Sequence, residues 1–158
     1  MAIIIVSNKK VGEKMIEQDT IKLLRECDAG VKMGVDAIND TLNSIKNKEF
    51  YNLLCECKTE HEKLENEIEM LLDKYEYEGK EPNAMAQGMS RLKTNIMMAV
   101  KDSDETIADL MTDGCNMGVK SLNKYLNKYK ASDEVSKDIA KRLINLEEKL
   151  AVDIRKFL

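Results

Sequence analysis

The octapeptide Asp-Ala-Gly-Val-Lys-Met-Gly-Val at Asp28–Val35 has a close echo in Thr-Asp-Gly-Cys-Asn-Met-Gly-Val at Thr112–Val119, at an offset of 84 positions. Both copies place two glycines four residues apart with a methionine between them. A second match, at an offset of 86, aligns Glu62-Lys63-Leu64 with Glu148-Lys149-Leu150. Two matches at nearly equal offsets indicate that a helical hairpin has been duplicated, so the fold should consist of two similar halves.

The paired glycines are unfavourable inside a helix. Each destabilises a helix interior by about 1 kcal/mol relative to alanine. The pairs Gly30/Gly34 and Gly114/Gly118 should therefore provide a compensating gain. The first interpretation is close approach of helix backbones, with methionines filling the remaining gaps. The alternative is that the glycines leave space for water or a small ligand at the centre of the bundle.

Apolar residues recur in steps of three and four along four segments, which is typical of helices in a bundle. The first segment begins at Thr20, and the second follows a polar break at Asn47-Lys48. Helices joined this tightly should be antiparallel neighbours. The segments Asp102–Glu105 and Ser132–Glu134 are predicted to start the third and fourth helices, because Ser and Asp side chains cap first-turn amides.

These patterns predict an all-α four-helix bundle in one domain over residues 20–158. It comprises a hairpin at 20–77, a crossover at 78–103 containing a short helix capped by Asn83, and a hairpin at 104–158. Residues 1–19 are predicted to be an apolar N-terminal arm and lead-in, in which Ile3–Val6 forms a short strand or arm. We expect the arm to pack on its own bundle, with contact to a second subunit as the alternative.

Composition limits the class of protein. The 158 residues carry a net charge of −4 with the signs interspersed, which argues against nucleic-acid binding. The sequence has no run of about 18 apolar residues, so it predicts no membrane-spanning helix. The start does not resemble a secretory signal, so we expect a cytoplasmic protein whose four cysteines are reduced and mostly buried. The sequence also lacks the glycine-rich loops of nucleotide-binding proteins and the serine elbow of hydrolases.

Three polar residues lie on stripes that should face the core. His61, the only histidine, falls within the apolar stripe of the second helix, and Asp28 falls within that of the first. Glu147 occupies the position equivalent to His61 in the second half. Because buried polar groups need hydrogen-bond partners, we predict an internal network in which Asp28 or Glu147 accepts a hydrogen bond from His61.

Two tight hairpins, a long crossover and an inward histidine on the second helix resemble the ferritin-like superfamily, and within it small bacterial proteins related to rubrerythrins. The spacing of thirty-three residues between Asp28 and His61 adds to the resemblance, which covers about residues 20–158. The resemblance implies two iron ions, held by one Glu on each of the first and third helices and by Glu-x-x-His on the second and fourth.

The sequence departs from that ligand pattern. Lys58 stands where the second helix should have its Glu, and it would place a positive charge beside any cation. In the fourth helix, neither Leu150 nor Ala151 can supply the histidine expected three residues after Glu147 or Glu148. The remaining candidate metal ligands are Asp28, His61, Asp113 and Glu147.

We therefore expect a ferritin-like bundle without enzymatic activity or a cofactor, whose di-iron centre has degenerated. It should act as a homo-oligomer or through a protein partner. Its contact surface should be Ile3–Val6 or the methionine-rich crossover helix. One alternative is a redox or stress protein that binds iron or another divalent metal, such as manganese or zinc, at an atypical site. A second is a bundle that binds a small ligand at the glycine pairs.

Overall fold

The computed structural model describes residues 2–75 and 103–158, with side chains described from Asn8 onward in the first range. These ranges contain helices and no strand, which confirms the all-α prediction. No helix within them combines the length and hydropathy needed to cross a membrane. The crossover helix predicted at 83–100 lies outside the described residues. The helices are α1 (Ala2–Leu42), α2 (Lys48–Lys74), α3 (Asp104–Lys128), α4 (Glu134–Asp153) and a 3₁₀ helix (Ile154–Phe157).

The starts of α2, α3 and α4 are capped by short polar side chains, which the sequence indicated for α3 and α4, while Asn47 was predicted only as part of a polar break. Asn47 Oδ1 accepts hydrogen bonds from the first-turn amides of α2. Ser103 Oγ accepts from Thr106 N, and Asp133 Oδ1 accepts from Ser136 N. Such caps are worth roughly 1 kcal/mol each. The predicted starts of α2, α3 and α4 are thus confirmed.

The two hairpins, α1–α2 and α3–α4, are joined at both ends by hydrogen bonds. At one end, Asp104 at the start of α3 accepts from the backbone amides of Lys46 and Asn47, at 2.9 and 2.7 Å. At the other end, Thr20 Oγ1 accepts from the amide of Asp133 at 2.8 Å. Thr20 and Asp104 occupy equivalent positions of the repeat. Each of them accepts a hydrogen bond from the loop that connects the two helices of the other hairpin. This arrangement makes α2 and α3 run in the same direction.

The core consists of two apolar clusters, one toward each end of the bundle. The cluster around Leu23, Leu64 and Ile139 lies toward Thr20. The cluster around Phe50, Met111 and Ile154 lies toward the loop between α1 and α2. His61, Gly34, Gly118 and Glu147 all fall in sequence between the members of these two clusters. The polar site therefore lies between the two apolar halves of the core.

The start of α1 differs from the prediction. The sequence pattern placed the helix start at Thr20, but α1 begins at Ala2, and the strand interpretation of Ile3–Val6 is wrong because the backbone is helical there. From Asn8 onward, where side chains are described, Thr20 is the first buried residue of α1. The apolar periodicity thus marked where helix packing begins, while Lys, Glu, Gln and Met residues continue the helix beyond that point. At 41 residues α1 is roughly 62 Å long, against roughly 40 Å for α2 with its 27 residues.

Candidate functional site

The site is built around His61, which is 1% exposed in the middle of α2. Its Nδ1 lies 2.8 Å from the carbonyl oxygen of Cys57, one turn earlier in the same helix. The Cys57 Sγ atom is 3.4 Å from the same nitrogen. The imidazole is therefore held in one orientation by its own helix, with Nδ1–H donating to the backbone and Nε2 directed toward α4.

Glu147 on α4 completes the pair. Its Oε1 lies 2.6 Å from His61 Nε2, and the Glu147 side chain is only 13% exposed. This confirms the prediction that Glu147 could accept a hydrogen bond from His61. Because the two residues occupy equivalent positions of the repeat, the pair links corresponding points of the two hairpins.

The pair is ionic. Burial alone lowers the pKa of His61, but hydrogen bonds to Cys57 and Glu147, together with the Glu147 charge, raise that pKa to about 10. The ring is thus protonated at neutral pH, and both of its N–H groups donate. A histidinium in this state has no lone pair free for a metal ion or for proton abstraction.

The repeated glycines explain how the pair fits. A Cβ added at Gly34 would lie 3.0 Å from both Cδ2 and Nε2 of His61. A Cβ added at Gly118 would lie 3.7 Å from several Glu147 atoms, at ordinary contact distance. Each repeat therefore places a glycine against the charged pair at the centre of the bundle. The predicted close approach of helix backbones is not found at these two glycines, because their nearest neighbours are the side chains of His61 and Glu147.

A small cavity adjoins the pair. Its volume is about 40 Å³, which provides room for on the order of three water molecules. All four glycines of the repeated motif contribute to its wall, which agrees with the alternative interpretation that the glycines leave space at the centre of the bundle. The other lining residues are His61, Glu147, Met33, Ala37, Ile38, Leu110, Met111, Cys115, Leu122, Leu143 and Leu150.

Two buried thiols add to the environment of the core. Burial, together with the Glu147 charge and a hydrogen bond to Glu147, raises the pKa of Cys115. Burial and the charges of Glu26 and Asp28 raise the pKa of Cys27 to about 12. Both remain neutral thiols at neutral pH. The prediction that most cysteines are buried is confirmed, with Cys55 half-buried. The contact of Cys115 with the pair was not predicted. Its position directly after Gly114 of the repeated motif could have indicated that it lies near the centre of the bundle.

The other two predicted ligands do not join the pair. Asp28 Oδ2 binds Lys32 Nζ at 2.7 Å, one turn along α1. Asp113 is exposed on the outer side of α3. Lys58, expected beside the site, instead lies 3.6 Å from Glu62. Within residues 2–75 and 103–158, no group of three or more His, Cys, Asp or Glu side chains is arranged to hold a metal ion.

Sequence reasoning also missed Glu26, which is 7% exposed on α1. Burial raises its pKa, while a hydrogen bond to Tyr125 acts in the opposite direction. Burial, with the Glu26 charge and hydrogen bond, raises the pKa of Tyr125 to about 12. This contact connects α1 to α3. Glu26 lies off the apolar stripe, so periodicity gave no sign of its burial.

The single histidine allows a direct test of the ion pair. In the wild type, the imidazole should stay doubly protonated at about pH 8, because its pKa is raised to about 10. In Glu147→Gln, burial without a neighbouring charge should bring the pKa below the usual value of about 6.5. Long-range ¹H–¹⁵N spectra of His61 across pH measure this. The control is Glu148→Gln, at an exposed neighbouring position, which should leave the titration unchanged. A neutral ring in the wild type would contradict the assignment.

The two central glycines should respond oppositely to alanine. Gly34→Ala should destabilise the fold by about 1–3 kcal/mol, because the new methyl meets an imidazole that is fixed at both nitrogens. Gly118→Ala should stabilise it by about 0.5–1 kcal/mol through better helix propensity at ordinary contact distance. Urea unfolding of both variants measures the difference. Equal changes in the free energy of unfolding would contradict the difference between the contacts at Gly34 and at Gly118.

Stability should fall as pH rises. Unfolded histidine titrates near about 6.5, so above that pH the native state retains a proton that the unfolded chain has lost. The contribution is full below about pH 6.5, declines by up to about 1.4 kcal/mol per pH unit, and is lost by about pH 10. Urea unfolding between about pH 6.5 and about 8, below thiol titration, measures the slope. His61→Gln should reduce the slope of the free energy of unfolding against pH. An unchanged slope would show that other titrating groups cause the pH dependence.

Comparisons with protein-family models, with characterised proteins and with solved structures found no match to this chain.

Proposed function

We propose that the protein is a non-catalytic, ferritin-like helical bundle that acts by self-association. The observation that carries this proposal is the length of α1. The helical backbone of residues 2–19 extends roughly 27 Å beyond Thr20, the first buried residue among those whose side chains are described. Every described side chain from Asn8 to Gln18 is exposed, apart from the half-buried Gly12.

The extension presents apolar side chains to solvent. Val11, Met15 and Ile16 are 56%, 54% and 46% exposed. Isolated helices of this length are marginal in water, because nucleation is unfavourable and most helix stability comes from packing. Gly12 lowers the helix propensity of the segment further. A helical extension of this kind is stabilised when a partner covers its apolar side.

The centre of the bundle supports a structural role instead of a catalytic one. The residues present do not fit a di-iron site, since both nitrogens of His61 donate hydrogen bonds and Glu147 already accepts one. A protonated imidazole cannot act as a general base. The adjoining cavity, at about 40 Å³, is smaller than the pockets that hold drug-sized ligands. These features favour association as the activity over metal chemistry or ligand binding.

Replacing the apolar side chains of the extension should abolish association. The double variant Val11→Gln/Ile16→Gln removes apolar area on both sides of Gly12 while keeping helix-forming residues. Sedimentation velocity across a wide concentration range should show the wild type moving from one chain to two chains per particle, and the variant staying at one. The matched control is Lys10→Gln/Glu17→Gln on the opposite face, which should associate like the wild type.

Far-UV circular dichroism should show that all three proteins keep their folded bundle, because neither pair of residues lies in the core. A wild type that stays monomeric at every concentration would overturn the proposal. So would equal association of the apolar-face variant and the wild type.

A further inference from the structure

Gly12 differs from the glycines of the central site. A Cβ at Gly34 or Gly118 would meet the charged pair, whereas a Cβ at Gly12 would meet no heavy atom of residues 2–75 and 103–158 within 4 Å. A glycine inside a helix costs about 1 kcal/mol relative to alanine. Within the described part of the chain, no contact of Gly12 provides a compensating gain. A second helix passing close to the backbone at Gly12 would provide one.

Gly12 also lies in the middle of the exposed apolar face. At about 100° per residue, Val11 and Met15 flank it on one side and Ile16 on the other. These side chains are about half exposed and form the walls of a shallow notch over the glycine. A helix with the same notch fits against it, because each glycine allows the other backbone to approach.

We propose that a second copy of this chain covers the extension, with the two α1 helices antiparallel and crossing at Gly12. This inference rests on the self-association proposed above and specifies its geometry. The pairing is isologous, so the same surface is used on both chains and the assembly closes at two copies. Because the extension lies beyond Thr20, the two bundles sit on opposite sides of the crossing.

Charge distinguishes the two directions of pairing. Lys9 and Glu13 lie along the same edge of the apolar face, beyond Ile16, whereas Gln18 and Lys14 lie along the other edge. In an antiparallel pair like edges meet, so Lys9 of each chain lies alongside Glu13 of the other, twice by symmetry. In a parallel pair unlike edges meet, so Lys9 faces the edge of Gln18 and the like-charged Lys14, and only Glu13 gains an oppositely charged neighbour. The antiparallel arrangement therefore gives Lys9 an acidic partner.

Charge reversal tests this direction in the full chain. Lys9→Glu leaves an acidic edge and Glu13→Lys leaves a basic edge, so each variant alone should dimerise more weakly than the wild type. Mixed together, the two should form the heterodimer in preference to either homodimer by about tenfold. Native mass spectrometry with one variant ¹⁵N-labelled counts the three species. The preference should shrink at high salt, since the edges are exposed.

Gly12→Ala tests the crossing point. It should raise helix content, because alanine is the better helix former, and yet weaken the dimer about tenfold because the backbones are held apart. Lys10→Ala, on the opposite face, is the matched control and should leave the dissociation constant unchanged. Circular dichroism and sedimentation equilibrium measure the two effects separately.

The outcomes separate the two proposals. If the wild type dimerises but the charge-reversed variants mix statistically, the antiparallel arrangement is wrong and self-association stands. If Gly12→Ala dimerises as tightly as the wild type, the crossing at Gly12 is wrong. If the wild type is monomeric throughout, both proposals fail.

Discussion

The buried ion pair between His61 and Glu147 is the interaction on which the rest of the bundle depends. Taking two charges out of water is costly unless each finds close partners. Here the imidazolium donates from both nitrogens, to the Cys57 carbonyl and to the Glu147 carboxylate. The pair fixes the spacing of α2 and α4 at the middle of the bundle. Gly34 on α1 follows from this, because a side chain at that position would occupy the space of the imidazole.

The pair also accounts for the division of the core. Apolar side chains form one cluster toward Thr20 and another toward the loop between α1 and α2, with the charged pair between them. A polar layer of this kind penalises any shift of one hairpin along the other. Such a shift would place the histidinium against an apolar cluster and leave the carboxylate without its partner. The hydrogen bonds at the two ends of the bundle, to Asp104 and Thr20, oppose the same shift.

Sequence periodicity was a good guide wherever side chains face the core. It located the helices that pack, their caps and the inward position of His61, and the internal repeat led to Glu147. It could not find the start of α1, because an exposed helix has no core to impose a pattern. It was also misleading for Asp28, whose place between Leu24 and Val31 is at the edge of the buried stripe, within reach of Lys32. Helix geometry could have excluded Asp113 from the site, since it lies about 200° around the helix from the inward Cys115.

The equivalence of His61 and Glu147 has a consequence for hairpin exchange between chains. If the α1–α2 hairpin of one copy replaced the second hairpin of another, two histidines would meet at the centre. Two copies of the α3–α4 hairpin would instead bring two glutamates together. Either exchange removes the attraction and buries like charges, which is costly. An ancestral symmetric pair of identical hairpins could not have contained this contact. The ion pair therefore requires two hairpins of different sequence, and it directs each hairpin to its unlike partner within the same chain.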